Sequence, residues 1–434
     1  MKKLQIGNFY VDDILFGDKT AFQNGILTVN KSEALDCLDP EERLKNLELH
    51  IVHPGDSTRI MPAKIAVEPR FRPDGRSIFP GLLGPVQPCG DGILYAMKGM
   101  SVICCGKYAI SGDGLLDMRG LAAQQNIFAS MVNIVVYGEL IDPVGINQPK
   151  RDETPLKTAA YYLAEYLGKA LAGQQPEDWE SFELEPGRKE AEEKQLPKVA
   201  LVMSINAQDG IGRCCNEQIF GLDCENSQPL LLHPNAVLDG EVVSMKGLFG
   251  DCIHTYGFQN CPYIKRLYAE HGKTLNFAGV ILCPCDSVDT FKKITSVSAA
   301  EIGTLLGLDG AIIVVTDGGS NWDVDFFYLL AEFEDHGIKT VGVTGEHNGK
   351  TMLDPKGNAI VSTGQSGQVF ELEPMDKVIG DIESAVRDFY FGSWSQHEIY
   401  GPSLRKDGSL IVTGNMISDC SNNNGFTTKS VKDY

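Results

Sequence analysis

The feature that most constrains the fold of this chain is a repeated alternation of apolar and helical segments in its second half. From "KVALVMS" onward, the apolar runs "FAGVILC", "GAIIVVT" and "KTVGVTG" alternate with the helical stretches "AAEIGTLLG" and "DFFYLLAEFEDHG". Such alternation predicts βαβ units on a parallel sheet. We therefore expect residues 198–434 to form an α/β domain on a largely parallel sheet, in which these three apolar runs are neighbouring parallel strands.

The first part of the chain has a different pattern. Short apolar runs such as "GILTVN" and "MSVICCGKYAI" are interrupted by Gly, Pro, Asn and Asp, which favours strands and loops. The segment "DETPLKTAAYYLAEYLGKALAG" then predicts a helix, because Pro155 suits a first turn and leucines recur at helical spacing. We expect a mixed, strand-rich N-terminal domain over residues 1–172, closed by this helix, and a solvated acidic linker over 173–197.

Composition restricts the class of partner and the compartment. A formal net charge of −20 disfavours nucleic acid and anionic membrane surfaces. No apolar run approaches the roughly 18 residues that a membrane span needs, and Asn8, Asp12 and Asp13 interrupt any secretory signal. Twelve cysteines without a signal peptide indicate a cytoplasmic protein with reduced thiols. Because no quartet of cysteines or histidines has zinc-binding spacing, we expect no metal site.

The loops after two predicted strands are candidates for a binding crevice. In open α/β sheets, ligands bind at the carboxyl ends of the strands. The loops at Asp317–Asn321 and Gly345–Asn348 should therefore open toward one crevice, with Gly318, Gly319 and Asn321 as supporting residues. Neither loop carries a dinucleotide or P-loop fingerprint, so no nucleotide site is predicted.

A second candidate is the polar stretch "GDCIHTYGFQNCP", which begins at Gly250. Gly and Asp before a cysteine favour an unusual turn. The polar side chains that follow are within reach of a compact loop: His254, Thr255, Gln259 and Asn260. From the residues alone, Cys252 is a thiolate nucleophile, a ligand or a residue without a chemical role.

Several long motifs, in a fixed order over nearly the whole chain, resemble one protein family. They include "FGDKTAFQNGILTVNK", "IVHPGDSTRIMPAK", "EPRFRPDGRSIFPGLLG", "LDGEVVS", "QNCPYIKRLYAEHGKTLNFAGVIL" and "SLRKDGSLIV". The family is the alpha/beta-subunit proprotein of component B in glycine, sarcosine and betaine reductases, which is related to the D-proline reductase proprotein. The resemblance implies a pyruvoyl-dependent oxidoreductase subunit that acts in reductive C–N cleavage of a small amino acid.

The resemblance also implies how the pyruvoyl group forms. Family proproteins are cleaved before an internal cysteine, and Cys252 is the one cysteine between "DGEVVS" and "QNCP". Its thiol would attack the carbonyl of Asp251 to give a thioester, and elimination followed by loss of ammonia would leave the ketone. Asp251 stands where glycine reductase members have Asn, a difference that bears on whether this chain is processed. Cys261 stands where the family pattern more commonly has Asn, and "ISDCSNN" replaces a Gly-Ala-Thr stretch. We expect these last two differences to affect the choice of substrate.

The resemblance further implies a divided active site. In the family, a selenocysteine on a separate subunit attacks the substrate carbon, and this chain has no selenocysteine. The expected partners are a selenocysteine-containing subunit or its cysteine homologue, with a carrier selenoprotein as a further partner, in a hetero-oligomer. Two alternatives stay open: a D-proline reductase-type ring-opening subunit, and an unprocessed assembly or binding subunit of the same fold.

Overall fold

The structure is a computed structural model of the chain. It describes residues 2–109, 113–141, 152–207, 216–224, 227–315, 321–345, 359–362, 366–383, 403–421 and 423–426. Over these ranges, no helix has both the length and the apolar character to cross a membrane.

The strands of the first part of the chain are β1 (Lys3–Tyr10), β2 (Asp13–Phe16), β3 (Ala21–Gln23), β4 (Ile26–Val29), β5 (Leu44–Val52), β6 (Thr58–Val67), β7 (Arg70–Phe71), β8 (Gly92–Lys98), β9 (Met100–Gly106), β10 (Gly114–Asp117), β11 (Val132–Leu140) and β12 (Asp178–Glu183). Those of the second part are β13 (Lys198–Asn206), β14 (Glu217–Ile219), β15 (Leu222–Asp223), β16 (Leu230–Leu232), β17 (Val242–Ser244), β18 (Asn276–Cys285), β19 (Gly310–Val314), β20 (Lys339–Val343), β21 (Ala359–Val361), β22 (Val369–Leu372), β23 (Lys377–Ile379) and β24 (Leu410–Thr413).

Fewer of the described residues lie in α-helices than in strands. They are α1 (Lys31–Asp36), α2 (Gly120–Ala123), α3 (Thr154–Gly168), α4 (Glu185–Glu193), α5 (Pro234–Leu238), α6 (Thr255–Gln259), α7 (Pro262–Glu270), α8 (Asp289–Leu306) and α9 (Asn321–Asp335). Helix α3 is the predicted one, with Pro155 in its first turn and a buried face that includes Leu156, Leu163 and Leu167.

The N-terminal part is strand-rich, as expected. One sheet has the order β12-β1-β8-β7, and a second has the order β10-β6-β9-β11-β5. Helix α3 packs on β6, β9 and β11 of the second sheet. All ten residues of β6 are buried, so this strand runs through the middle of the N-terminal core.

The second part contains the predicted parallel sheet, in the order β16-β18-β13-β19-β20-β21. Every neighbouring pair is parallel except β16 and β18. Helix α8 connects β18 to β19 and ends at Gly307, whose φ of 65° is a left-handed conformation that favours glycine. The α/β fold class predicted from the sequence is therefore confirmed.

Two details of the predicted organisation are wrong. Strand β13 lies between β18 and β19, so "FAGVILC" and "GAIIVVT" are parallel but are not direct neighbours. The segment 173–197 is also not a solvated linker, because its β12 pairs with β1 along the sheet edge and α4 follows directly. Its acidic composition reflects an edge strand with one face toward solvent.

The two halves of the chain are joined by pairing and by packing. Strand β23, from the C-terminal part, pairs in parallel with β6 of the N-terminal sheet. One continuous core contains side chains of both parts, such as Leu94 and Leu163 together with Leu201 and Leu282. The boundary predicted at residues 173–197 therefore does not separate two independent cores.

Candidate functional site

Cys252 lies in a tight turn between β17 and α6. Its backbone N–H donates to the carbonyl oxygen of Phe249 over 2.9 Å, which closes the turn. The N–H of Gly250 donates to the carbonyl oxygen of Asn415 over 2.6 Å. A Cβ atom at Gly250 would lie 2.5 Å from the carbonyl oxygen of Ile417, so only glycine fits against this neighbouring segment.

Three consecutive carbonyl groups of this turn accept hydrogen bonds from side chains of one C-terminal segment. Ser421 Oγ donates to the carbonyl oxygen of Gly250 over 2.5 Å. Asn423 Nδ2 donates to that of Asp251, and Asn424 Nδ2 donates to that of Cys252, each over 2.9 Å. Because these residues are buried, the donors replace the water that would otherwise solvate the carbonyls.

The turn lies at the carboxyl edge of the parallel sheet. Asn423 Nδ2 also donates to the carbonyl oxygen of Val315, directly after β19, over 3.1 Å. The carboxylate of Asp251 accepts a hydrogen bond from Ser366 Oγ over 2.5 Å. A Cβ atom at Gly345, just after β20, would lie 2.5 Å from Asp251 Oδ1. Cys252 therefore lies at the sheet edge where ligands bind in open α/β folds.

His254 begins helix α6 and connects it to the C-terminal segment. Its Nδ1 atom accepts a hydrogen bond from the N–H of Gly257 over 2.9 Å, as an N-cap does. Its Nε2 atom lies 3.2 Å from Asp419 Oδ1, so the proton of the neutral ring is on Nε2. Asp419 Oδ1 also accepts from Asn424 Nδ2 over 2.8 Å. Through Asp419, His254 thus positions the amide of Asn424, which donates to the carbonyl oxygen of Cys252.

Three further predicted residues anchor α6 to the N-terminal domain. Thr255 Oγ1 is 2.6 Å from the hydroxyl oxygen of Tyr161. Gln259 pairs with the backbone of Glu68, accepting from its N–H over 2.9 Å and donating to its C=O over 3.2 Å. Asn260 Nδ2 donates to the Glu68 carboxylate over 3.0 Å. These contacts position the helix that follows Cys252.

The Glu68 carboxylate is the centre of a buried charge cluster beneath α6. Burial alone would raise the pKa of Glu68, but Lys98 and Arg70 outweigh that effect and lower the pKa to about 2. Lys98 Nζ and the Arg70 guanidinium each lie 2.8 Å from a carboxylate oxygen of Glu68. The charged form of Glu68 is therefore the one that supports α6.

Three predicted site residues remain: Gly318, Gly319 and Asn321. Gly318 and Gly319 lie outside the described residues, as does most of the loop that begins with Gly345. Asn321 is the first residue of α9. Within the described ranges, no group of His, Cys, Asp and Glu side chains is arranged to hold a metal ion.

Five residues of the site were not predicted as site residues: Ser366, Asp419, Ser421, Asn423 and Asn424. Asp419, Ser421 and Asn423 lie within "ISDCSNN", which the sequence analysis noted only as a difference from the family. A signal for them was present, because "SDCSNNN" is a dense run of small polar residues. Polar residues that are buried together usually form hydrogen bonds with one another or with a functional group. Their burial, however, depends on contacts with a turn that is distant in the sequence.

Comparison with known proteins agrees with the motifs. A family model described as "Glycine/sarcosine/betaine reductase component B subunits" matches residues 1–432. This chain belongs to that family. It is 41% identical to the betaine reductase complex component B subunit alpha of Peptoclostridium acidaminophilum, over the full length of both chains. No solved structure gives a significant match.

Two glycine reductase relatives are also similar over their full length. Identity is 34% to the glycine reductase complex component B subunits alpha and beta of P. acidaminophilum, and 33% to the protein of the same name from Acetoanaerobium sticklandii. The names of these relatives assign two subunits to one chain, whereas the name of the betaine reductase relative assigns one. The family membership makes this chain a component of an amino-acid reductase complex.

Proposed function

We propose that this chain is the pyruvoyl-forming subunit of a component B amino-acid reductase. In this proposal, cleavage occurs between Asp251 and Cys252, and Cys252 becomes the N-terminal group of the downstream fragment. The mature protein binds a small amino acid for reductive C–N cleavage with a selenoprotein partner.

One observation carries this proposal: the peptide group that the Cys252 thiol would attack is buried, and a side-chain amide holds its carbonyl oxygen. Asn423 Nδ2 lies 2.9 Å from the carbonyl oxygen of Asp251. A hydrogen-bond donor fixed at that distance is what acyl transfer requires where negative charge develops. Any buried backbone carbonyl needs a donor, but this donor is a side-chain amide whose other N–H is held by the carbonyl oxygen of Val315, so it would stay in place as negative charge develops.

The fold also fits a chain that is cut at this point. Strand β13 precedes the cut, and it lies between β18 and β19, which both follow it. Strand β6 precedes the cut and pairs with β23. The two fragments would therefore remain hydrogen-bonded to each other after cleavage, so that the new N-terminus stays at the sheet edge.

The pyruvoyl group, once formed, supplies a ketone as an electrophile for the substrate amine. The chain's own residues would bind and orient the substrate beside it. The turn at Asp251 and Cys252 is bordered by Ser366, Gly345, Ser421, Asn423 and Asn424. Asn423 also binds the carbonyl oxygen of Val315 at the carboxyl end of β19.

The nucleophile that breaks the C–N bond must come from a partner. The sequence contains no selenocysteine. Burial raises the pKa of the Cys261 thiol to about 11 and raises that of Cys283 further, so neither supplies a thiolate near neutral pH. A selenocysteine-containing subunit, or its cysteine homologue, would provide the missing group at the interface, within reach of a bound two-carbon substrate.

Intact-mass analysis tests the cleavage directly. Protein purified from its own host should contain fragments 1–251 and 252–434, the second with a blocked N-terminus that reacts with hydrazine. Cys252→Ala should abolish cleavage, whereas Cys261→Ala, a change at a second buried cysteine, should leave it intact. A single full-length chain in the wild-type protein, co-expressed with its partners, would contradict the proposal.

A substrate experiment tests the divided site. The isolated mature protein should form borohydride-trappable adducts with glycine or sarcosine, yet release no ammonia until the partner is added. Turnover by the isolated chain with a simple dithiol would show that no partner selenol is needed.

One observation favours the unprocessed alternative. The 41% identical relative is a betaine reductase component named as a single subunit, and the two relatives named as two subunits are less similar. Betaine carries a quaternary nitrogen with no lone pair to attack a ketone. A chain that served a substrate of this kind would have no use for a ketone, and it would stay intact and act in binding or assembly. The same mass measurement distinguishes the two functions.

A further inference from the structure

We infer that Asn423 and Asn424 are the catalytic residues of maturation, with one asparagine serving each of two successive chemical steps. Asn423 would stabilise the oxyanion formed on Asp251, and Asn424 would stabilise the enolate formed on Cys252. This inference rests on the proposed function, because it assigns the groups that carry out the cleavage.

The geometry pairs consecutive amides with consecutive carbonyls. Asn423 Nδ2 lies 2.9 Å from the carbonyl oxygen of Asp251, and Asn424 Nδ2 lies at the same distance from that of Cys252. Each amide also uses its second N–H, since Asn423 donates to Val315 and Asn424 donates to Asp419. With both N–H groups engaged, neither amide has to reorient as charge develops.

The first step is an acyl shift from nitrogen to sulfur. Cys252 Sγ attacks the carbonyl carbon of Asp251, and a C–S bond forms as the C–N bond breaks. The thiol proton passes to the nitrogen of Cys252, which becomes a free amine. In the tetrahedral intermediate, the negative charge is on the Asp251 oxygen. Asn423 already donates to that atom, so the bond becomes charge-assisted and strengthens.

The second step is an elimination. The Cα proton of Cys252 is removed as the Cβ–S bond breaks, and it passes to the departing thiocarboxylate of Asp251. The electron pair left at Cα delocalises onto the Cys252 carbonyl oxygen, which is the atom that Asn424 holds. The product is a dehydroalanine with a free amine, and one water molecule converts it to the ketone and ammonia.

The surroundings of the two amides fit these roles. Two successive hydrogen bonds, from His254 to Asp419 and from Asn424 to Asp419, orient the Asn424 amide. The Oδ1 atoms of Asn423 and Asn424 are buried, with no hydrogen-bond partner among the described atoms. Both steps use only the chain and water, without an oxidant or a reductant.

The two roles predict different products when maturation is interrupted. Asn423→Ala should slow the acyl shift by about 10² to 10³-fold, the usual effect of losing one oxyanion donor. The full-length chain should then resist hydroxylamine. Asn424→Ala should permit the shift but slow the elimination by about 10- to 100-fold. Hydroxylamine should therefore cut this variant at the thioester, giving an Asp251 hydroxamate and a fragment that begins with an intact Cys252.

Asn235→Ala is the matched control. Asn235 is fully buried, and its Nδ2 atom donates to the carbonyl oxygens of Gly90 and Phe182, each over 3.1 Å. If loss of any buried amide disturbed maturation through folding, this variant would be affected as well. We expect it to mature at the wild-type rate, and the circular dichroism spectra of all three variants to match that of the wild-type protein.

The outcomes separate this inference from the proposed function. A wild-type chain that is never cleaved would overturn the proposed function itself. A wild-type chain that matures, together with Asn423→Ala and Asn424→Ala variants that mature at the same rate, would overturn only the assignment of the two asparagines. Identical hydroxylamine products from both variants would overturn the division of labour between them.

Discussion

The side-chain amide of Asn424 donates to the carbonyl oxygen of Cys252 over 2.9 Å, although 172 positions separate the two residues in the sequence. The same separation relates Asn423 to Asp251. The C-terminal segment therefore runs beside the turn in the same direction, one donor for each carbonyl. Because the donors follow the turn by 172 positions, the turn acquires them only after their segment has packed against it. Cleavage should accordingly follow folding.

Replacement of Gly257 by alanine should slow maturation without removing any donor. A Cβ atom at this position would lie 2.1 Å from Asn424 Oδ1, well inside contact distance. The Asn424 carboxamide would have to shift away from the Cys252 carbonyl. We expect Gly257→Ala to accumulate the hydroxylamine-sensitive full-length chain, which mass spectrometry detects.

The control for Gly257→Ala is Gly310→Ala in β19. A Cβ atom at Gly310 would meet its nearest neighbour, the carbonyl oxygen of Lys339, at 3.4 Å, which is ordinary contact. This variant should mature normally. Normal maturation of Gly257→Ala as well would mean that the position of the Asn424 amide has no influence on the cleavage.

The stability of the protein should fall in acid because of Glu68. Its pKa is about 2 in the folded protein, against an ordinary value of 4.5, so the unfolded chain binds the proton more tightly. The contribution of Glu68 is complete above pH 4.5 and is lost as the pH falls toward 2. Its size is about 3 kcal/mol by linkage. The difference in unfolding free energy between wild type and Glu68→Gln should shrink by that amount over this range.

Urea unfolding at several pH values measures this difference. Glu190→Gln is the control, since that side chain is 62% exposed. Its unfolding free energy should follow that of the wild-type protein at every pH. A gap between wild type and Glu68→Gln that stays constant from pH 5 to 2 would show that Glu68 does not titrate in this window.

The elements predicted correctly from the sequence are those whose signal is local. Helix α3 has a helical repeat of leucines, and β18, β19 and β20 are continuous apolar runs, so their periodicity identifies them directly. The order of strands is not local, and nothing in the sequence of β13 indicates that it lies between β18 and β19. Strand β12 was missed because a half-exposed edge strand has a polar composition.

The site was predicted in part, for a similar reason. Cys252 was identified by a polar turn and by family motifs, both of which are contiguous in the sequence. Asn423 and Asn424 could not be paired with it, because their partners are backbone carbonyls, and a carbonyl carries no residue-specific signal. His254 was expected near Cys252 as a supporting residue. Its contact with Asp419 depends on the fold of a segment 165 positions away.

Loss of Lys64 should be strongly destabilising. Its ammonium group is fully buried and contacts Asp113 over 2.5 Å and Glu153 over 2.6 Å. Lys64→Met would remove the cation that these two buried carboxylates share, at a cost of about 3–5 kcal/mol. Lys169→Met, at a side chain that is 62% exposed, is the control and should change the unfolding free energy little. Equal midpoints of chemical denaturation for the two variants would contradict this account.

Cleavage before Cys252 should not release either fragment. Strand β13 of fragment 1–251 is hydrogen-bonded on one edge to β18 and on the other to β19, both from fragment 252–434. Two further pairs join the fragments: β16 pairs with β18, and β6 pairs with β23. Separation would break the centre of the parallel sheet and expose its core to water, which costs far more free energy than separating an ordinary subunit interface.

Size-exclusion chromatography of the cleaved protein should give one peak that contains both fragments, and guanidinium chloride should be needed to resolve them. Fragments that part in native buffer would show that the sheet does not hold the cleaved chain together.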